Sequence, residues 1–250
     1  MLSPSQVIVF ATPAFLLLIA LEWGVSLWRG RNAYRLADAI SSISLGMLSQ
    51  TSAVFTTLLR VGLYTLAFEH LALWRNDAFW TSIPGWLLAL LLYDFCYYWL
   101  HRMGHEVAVL WAAHAVHHQS QDYNLSTALR QTWTGTIALG FMFRTPLLLI
   151  GFHPAMIFFC AGLNLIYQFW IHTEVIGRCP RWFEWLMNTP SHHRVHHATN
   201  PRYLDRNYAG VFIIWDKLFG TFEAERADEP PRYGIIRNLG TFNPFWVAVH

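Results

Sequence analysis

Histidine is the residue type in this sequence whose number and spacing point most directly to chemistry. The chain has 13 histidines, and ten of them fall in four short groups that read HRMGHE, HAVHH, IHTE and SHHRVHH. Residues three and four positions apart share one face of a helix, so each longer group can direct two or three imidazoles at one point. Neutral imidazole suits iron, zinc, copper and nickel. The spacing therefore predicts a polyhistidine site for two metal ions.

The predicted metal ligands are the histidines of these groups, with the first member of the doubled pair in the last group included: His101, His105, His114, His117, His118, His172, His192, His193, His196 and His197. Two other metal sites fit the pattern poorly. A zinc protease of the HExxH type needs Glu where Arg102 follows the first histidine, and a bis-histidine haem site needs only two opposed histidines. The ungrouped His70, His153 and His250 are predicted to have ordinary hydrogen-bonding roles.

Three carboxylates lie close enough in sequence to the histidines to support them. Asp94 precedes His101 by seven positions, and Glu106 and Glu174 stand next to histidine groups. Outer carboxylates commonly accept the second ring N–H of a metal-bound histidine. We therefore assign Asp94, Glu106 and Glu174 to the catalytic site, with a solvated or ion-paired surface acid as the alternative for each.

A polar segment after HAVHH carries candidate cofactor-binding residues. Asn124, Thr127 and Arg130 follow the second histidine group in a stretch predicted to be a loop. A guanidinium is well suited to a phosphate. Arg130 is thus a candidate contact for a lipid phosphate, or for the reduced pterin that the family resemblance described below implies, with an ordinary surface arginine as the alternative.

The elements that must position these residues are membrane helices. Hydrophobic residues make up 54% of the chain, and charged residues make up 13%, about half the usual share of roughly 25%. Apolar blocks at about 6–28, 39–68 and 80–100 are long enough to cross a bilayer, and the first is expected to be a retained span and not a signal peptide. Residues 134–171 are too long for one crossing and are interrupted near Gly151 and Pro154, which predicts a helical hairpin with its turn at 151–154.

The basic residues predict the orientation of these spans. If the loop 29–35 is cytoplasmic, 14 of the 17 Lys and Arg residues lie on that side, the exceptions being Arg60, Arg75 and Arg144. All the grouped histidines then lie on the cytoplasmic side as well. Sixteen Arg against a single Lys is typical of a GC-rich genome and favours a bacterial inner membrane. The net charge of +2 is too small to indicate nucleic-acid binding.

The motifs as a set carry a family resemblance. HRMGHE, HAVHH followed by QSQDYNLSTALRQ, IHTE, and NTPSHHRVHHATNPRYLDRNYAGVFIIWDKLFGTF resemble the fatty acid hydroxylase (sterol desaturase) superfamily, and within it the alkylglycerol monooxygenase-like branch. The resemblance covers about residues 85–222. Two features differ from the branch: QSQDYN stands where a Ser-Ser-Glu-like stretch is usual, and relatives tend to continue beyond the position of His250.

The resemblance implies a membrane-bound, non-haem di-iron enzyme that uses O₂ to hydroxylate or desaturate a fatty acyl, sterol or ether-lipid chain. It also implies an electron donor, either a reduced pterin or a cytochrome- or ferredoxin-type partner, and zinc can replace iron in such a site. Hydroxylation and desaturation share their first step, so the histidines do not separate them. The alternative from another class is a membrane metal-binding or metal-transport protein, whose ligands are expected along the spans near the bilayer midplane.

These observations predict an all-α integral membrane protein with about four to five transmembrane helices, the last two forming a hairpin. A cytoplasmic helical cap is predicted to carry the polyhistidine di-metal site. Residues 1–80 are predicted to form N-terminal transmembrane helices, and residues 81–250 a catalytic domain that combines spans and cap.

Overall fold

The computed structural model describes residues 4–249, with side chains from Phe10 onward, and His250 lies outside the described residues. Within this range every regular element is helical, and extended pairing is limited to isolated bridges such as Met187 with Phe212. The α-helices are α1 (Pro4–Trp28), α2 (Leu36–Leu71), α3 (Asp77–Trp80), α4 (Ile83–Glu106), α5 (Ala108–His118), α6 (Thr145–Leu149), α7 (Pro154–Trp170), α8 (Arg181–Leu186), α9 (Pro190–His196), α10 (Ile214–Phe219) and α11 (Pro244–Val249). The predicted all-helical fold is confirmed.

Three helices are long and apolar enough to cross a membrane: Phe10–Trp28 of α1, all of α2 and all of α4. Their outward side chains are largely apolar, for example Phe55 and Leu58 of α2, which are 78% and 81% exposed. With 36 residues, α2 is about 54 Å long and extends beyond a hydrocarbon core of about 30 Å. These helices fit a membrane protein.

The prediction that the first arm of the hairpin is a membrane-crossing helix is wrong. Residues 134–150 form turns, a 3₁₀ segment (Gly140–Arg144) and the five-residue α6, which together are too short to cross a bilayer. Leu139 has a left-handed backbone, with φ of 59°, so a continuous helix cannot pass through it. The turn itself lies where the sequence places it, since Gly151 has φ of +103° and α7 begins at Pro154.

The helix α7 stands at the centre of the bundle. It packs against α1 and α4, and the rings of Phe15 and Phe169 stack with centroids 4.1 Å apart. Side chains from α4 and α7 meet at matching heights, because Tyr97 donates to Gln168 (2.9 Å) and Asn164 donates to Asp94 (2.9 Å). The two helices therefore run in the same direction, and both end at the histidines.

Candidate metal centre

Nine of the ten grouped histidines converge in two adjoining clusters. In cluster A and in cluster B, each residue offers one ligand atom, and these atoms lie within 4.8 Å of one another. The clusters touch where the rings of His118 and His197 stack, with centroids 4.4 Å apart. Cluster A consists of His101, His105, His114, His118 and His196, and cluster B of His117, His172, His193 and His197.

The histidine groups of the sequence are divided between the clusters in a regular way. Residues four apart stay together: His114 and His118 both enter cluster A, and His193 and His197 both enter cluster B. The remaining histidine of each group, three positions after the first, enters the other cluster: His117 enters cluster B, and His196 enters cluster A. Helical residues four apart differ by about 40° around the axis, whereas neighbours differ by about 100°. One HxxHH group on a helix therefore supplies both clusters.

A sharp corner between α4 and α5 brings the first two groups face to face. Val107 has extended backbone between the helices, with φ of −114° and ψ of 119°. The chain turns there, and the Nε2 atoms of His101 and His114 lie 3.0 Å apart. Gly104 faces this contact, and a Cβ at that position would meet the His114 ring at an ordinary van der Waals distance of 3.6 Å.

The loop 205–208 orients cluster A. His101 Nδ1 donates to the carbonyl of Tyr208 (2.7 Å), and His196 Nδ1 donates to the carbonyl of Arg206 (3.0 Å). A carbonyl only accepts, so each ring carries its proton on Nδ1 and turns an unprotonated Nε2 toward the cluster.

The same loop contributes a carboxylate and is itself fixed from α10. Asp205 Oδ1 lies 3.4 Å from Nδ1 of His105. Asp216 accepts hydrogen bonds from the backbone N–H groups of Tyr208 and Ala209, both at 2.8 Å. The groups that orient cluster A thus lie in one short stretch of the chain, residues 205–216.

Cluster B is oriented by other parts of the chain. His117 Nδ1 donates to the carbonyl of Arg130 (2.9 Å), and His172 Nδ1 donates to the carbonyl of Gln168 in α7 (2.7 Å). The Nε2 atoms of His117 and His172 are 3.2 Å apart, and that of His193 lies 3.0 Å from that of His172. Cluster B therefore has the same arrangement as cluster A, with the unprotonated nitrogens directed inward.

The imidazoles are suited to hold cations. Nε2 of His105, His196 and His197 is buried with no hydrogen-bond partner, which is costly for a polar atom unless something binds it. Burial lowers the pKa of His117 to about 4. Burial also lowers the pKa of the cap histidines well below the usual range, so that they are neutral ligands at pH 7; these are His114, His118, His172, His193, His196 and His197. An all-imidazole donor set fits iron and zinc.

His192 lies apart from both clusters. Its Nδ1 is 3.3 Å from Oγ1 of Thr189, and its Nε2 is 4.0 Å from Glu184. It precedes His193 by one residue on α9, and a rotation of about 100° turns its ring away from the metal site. This placement gives His192 no part in either cluster.

The three sequence-assigned carboxylates do not contact the histidines. The seven-residue separation that places Asp94 on the same helix face as His101 also places it about 10 Å further along the axis. Its carboxylate instead accepts the N–H groups of Val211 (2.8 Å) and Phe212 (2.9 Å), which ties α4 to the cap. Glu106 pairs with Arg102 at 2.8 Å, and exposed Glu174 accepts from Tyr233 at 3.0 Å.

Asn124 and Thr127 shape the segment that follows the second histidine group. Asn124 Nδ2 donates to the carbonyl of Ala33 (2.7 Å), and Thr127 Oγ1 donates to the carbonyl of Asp122 (3.1 Å). Both side chains are buried. Asn124 thus holds the loop against the α1–α2 connection, Thr127 closes the loop on itself, and neither buried side chain offers a surface to a cofactor.

Arg130 is fully buried and is not a surface arginine. Its guanidinium pairs with Asp38 of α2 and donates to Ser42 Oγ (3.1 Å). The partner of its charge is thus a carboxylate of the protein. Its backbone carbonyl receives the His117 N–H, so Arg130 acts on the site by positioning a ligand.

Sequence reasoning missed two buried carboxylates in the spans. Asp38 also accepts the N–H groups of Gln121 (2.9 Å) and Asp122 (3.1 Å). Glu22 of α1 accepts from Leu125 N (2.8 Å) and from the hydroxyl of Thr173. For Glu22, an acidic residue inside an apolar span was the available signal, and it was applied only to the span next to the histidines; Asp38 lies just before the predicted second span and carried no such signal.

A family model and the most similar known proteins point to the same family. The fatty acid hydroxylase model matches residues 86–221. The chain is 46% identical over 241 residues to an alkylglycerol monooxygenase of Homo sapiens, which covers 96% of this chain and 53% of that protein. It is 41% identical over 237 residues to an alkylglycerol monooxygenase of Danio rerio (93% and 51%), and 29% identical over 166 residues to an ornithine lipid hydroxylase of Rhizobium tropici (65% and 47%). The chain spans about half the length of these relatives. No solved structure matches it.

Proposed function

The chain belongs to the fatty acid hydroxylase family, and on this premise we propose that it is a membrane-bound, non-haem di-iron oxygenase that hydroxylates a lipid. The observation that carries the proposal is the pair of adjoining clusters, in which nine imidazoles turn their inner nitrogens toward two points. Two bound irons would supply the activation of O₂. A hydroxylation places one oxygen atom in the C–H bond of the lipid and the other in water, with two electrons and two protons from a donor.

The protein's own part in this reaction is to hold neutral ligands and keep the site dry. The four histidines of cluster B are buried, whereas His105 and His114 of cluster A are partly exposed. The ring of Trp111 lies 5.2 Å from that of His105 at this more open side. We therefore place the approach of substrate at cluster A.

The substrate class is proposed from the relatives. Alkylglycerol monooxygenases are similar to this chain over nearly all of it, which favours an ether lipid over a sterol or a free fatty acyl chain. A reduced pterin is the preferred electron donor, with a cytochrome- or ferredoxin-type protein as the second candidate. Desaturation is the alternative outcome at the same site.

The location is proposed from the charge pattern. With the loop 29–35 in the cytoplasm, the histidines at the ends of α4 and α7 also face the cytoplasm. The arginine-rich composition supports a bacterial inner membrane. We further propose residues 1–80 as the membrane-helix region and residues 81–250 as the catalytic domain.

The test is anaerobic reconstitution with Fe²⁺ in lipid nanodiscs, followed by ¹⁸O₂, reduced pterin and isotope-labelled alkylglycerol, acyl and sterol lipids in parallel. We expect one ¹⁸O atom in an alkylglycerol product, detected by mass spectrometry. The double variant His114→Ala/His197→Ala should form no product, whereas His70→Ala, at an exposed position of α2, should retain turnover. Tight iron binding without oxygenated or desaturated product from any lipid or donor would indicate a metal-binding protein.

A further inference from the structure

The short helices α8 and α10 lie on the membrane side of the histidines. In α10, the ring of Trp215 lies 5.1 Å from that of Phe95, and the ring of Phe219 lies 5.1 Å from that of Trp99. Both α4 residues precede His101, within the helix that is long enough to span the bilayer. The helix α10 is therefore packed beside the last turns of a span.

The helix α8 is attached to α7 at the same height. The ring of Phe183 lies 6.3 Å from that of Trp170, and Tyr167 Oη donates to the carbonyl of Asn188 (2.6 Å) just after α8. These α7 residues precede His172. Together α8 and α10 form one outer face beside the last turns of α4 and α7, and it continues the outer surface of α4.

The composition of this face is that of a membrane interface. Trp182, Trp185 and Leu218 are 70%, 65% and 69% exposed, and Arg178 and Arg181 are exposed beside them. Tryptophan together with arginine and lysine is concentrated where headgroups meet acyl chains. Large exposed apolar side chains at the height of a span are stable in lipid and costly in water.

A cleft of about 210 Å³ between α8 and α10 carries basic groups: Arg178, Arg181 and Lys217. The two carboxylates in its wall already have partners. Glu184 accepts from Cys179 N (2.9 Å) and Ser191 Oγ (2.8 Å), and Glu225 pairs with Arg194 at 2.7 Å. Since the charge of Glu225 is offset by Arg194, the cleft has three basic groups against the one charge of Glu184, and its net charge is positive.

We propose that the α8–α10 face docks in the bilayer interface, with its indoles among the headgroups and a phospholipid phosphate in the basic cleft. We choose a phospholipid as the ligand for two reasons. The exposed apolar side chains of the face lie beside those of a span, and the charge of the cleft is complementary to phosphate. This surface is separate from the proposed oxidation chemistry, and its tests do not depend on activity.

The first test measures depth in the membrane. Nitroxide labels are placed at Trp182→Cys and at Leu218→Cys in a Cys179→Ser background, since Cys96 and Cys160 are buried. Asp228→Cys, whose native side chain is 71% exposed, is the matched aqueous control. In nanodiscs we expect O₂ to relax the labels at 182 and 218 more than a water-soluble nickel complex does, and the reverse at 228. Water-like relaxation at both 182 and 218 would overturn the proposal.

The second test addresses the cleft. Native mass spectrometry in detergent with added phosphatidylglycerol counts bound lipid for Arg181→Gln and for the control Arg237→Gln, which changes an exposed arginine elsewhere. Loss of one basic group near the headgroups is expected to weaken binding about fivefold, with the control unchanged. Equal binding by the two variants would contradict the assignment of the phosphate to this cleft.

Discussion

The two histidine clusters have the same inner chemistry but draw their outer support from different regions of the chain. Cluster A depends on the loop 205–208, whose carbonyls receive the ring N–H groups of His101 and His196. Cluster B depends on the carbonyl of Arg130, whose guanidinium is held by Asp38 in the second span. Cluster A is thus supported by a loop close to it in the chain, whereas cluster B is supported by α7 and by the N-terminal membrane helices.

The carboxylates that lie beside the two clusters also differ in burial. Asp38 and Glu22 are buried, as is Asp216 behind the loop of cluster A, whereas the Asp205 side chain next to His105 is 67% exposed. Electrostatic and hydrogen-bond contacts are stronger where water is excluded, and the loss of a partner there is more costly. Both α1 and α2 precede the matched residues 86–221, yet they are part of the framework of cluster B. The comparison predicts unequal responses to substitution.

Removal of a ligand should have the largest effect. His114→Ala is expected to lower iron from two to one per chain by loss at cluster A, and His197→Ala by loss at cluster B. Turnover should fall by more than the roughly 10–100-fold typical of outer partners. Iron per chain, measured by mass spectrometry after anaerobic loading, checks this. His70→Ala is the control, and two irons in either variant would contradict the division of ligands.

Asp38→Asn should come next and should affect cluster B alone. It leaves the charge of Arg130 buried without a counter-ion, which costs about 3–5 kcal/mol of folding stability, and it loosens the carbonyl that holds His117. We expect iron affinity at one of the two sites to fall about 10–100-fold, measured by stepwise removal with a chelator. Asp77→Asn, at an exposed acid of α3, is the control. Equal weakening of both sites would mean that Asp38 supports the whole fold and not one cluster.

Glu22→Gln should have a smaller effect on the same cluster. Glu22 reaches cluster B indirectly, through Thr173, the neighbour of His172, and through the backbone N–H of Leu125 in the segment that carries Arg130, and Gln retains one acceptor oxygen. Loss of charged hydrogen bonds at a buried site costs about 1–3 kcal/mol. Thermal unfolding with and without iron measures the effect, with Glu69→Gln at the exposed end of α2 as the control. A stability identical to that of the control would show that Glu22 is not a support.

Asp205→Asn should have the smallest effect. The carboxylate is largely in water, and Asn tolerates the left-handed backbone found there, with φ of 57°. We expect less than about a tenfold loss of iron affinity at cluster A, below the usual range for buried outer partners. The same chelator titration measures it beside Asp228→Asn. A loss as large as that of Asp38→Asn would remove the distinction between exposed and buried support.

The inner histidines were predictable because their spacing is local. The helical period alone places His114 and His118 on one face, and the same holds for His193 and His197. The long spans were predictable for a similar reason, since an apolar stretch of about 20 residues has few other stable environments. The exception was the stretch 134–150, whose composition suits a membrane but in which the left-handed backbone of Leu139 interrupts a continuous helix.

The outer partners were not predictable from local spacing. Asp94 lies on the face expected for it, but its carboxylate meets backbone N–H groups more than 100 residues later in the chain. The ion pair of Arg130 was not predictable either, because its counter-ion, Asp38, lies in α2, 92 positions earlier in the chain. His192 shows the limit of a motif, since its neighbours are ligands while its own ring points away.

Residue types and their periods determined by themselves that the chain is helical, enters a membrane and carries imidazoles on common helix faces. These are short-range properties. They follow from backbone geometry and from the free-energy cost of exposing apolar groups to water or leaving polar groups unpaired in lipid. Only the tertiary structure decided which histidine belongs to which cluster and which carboxylates support them. Those choices depend on contacts such as Asp38 with Arg130, which form only when the spans and the cap pack together.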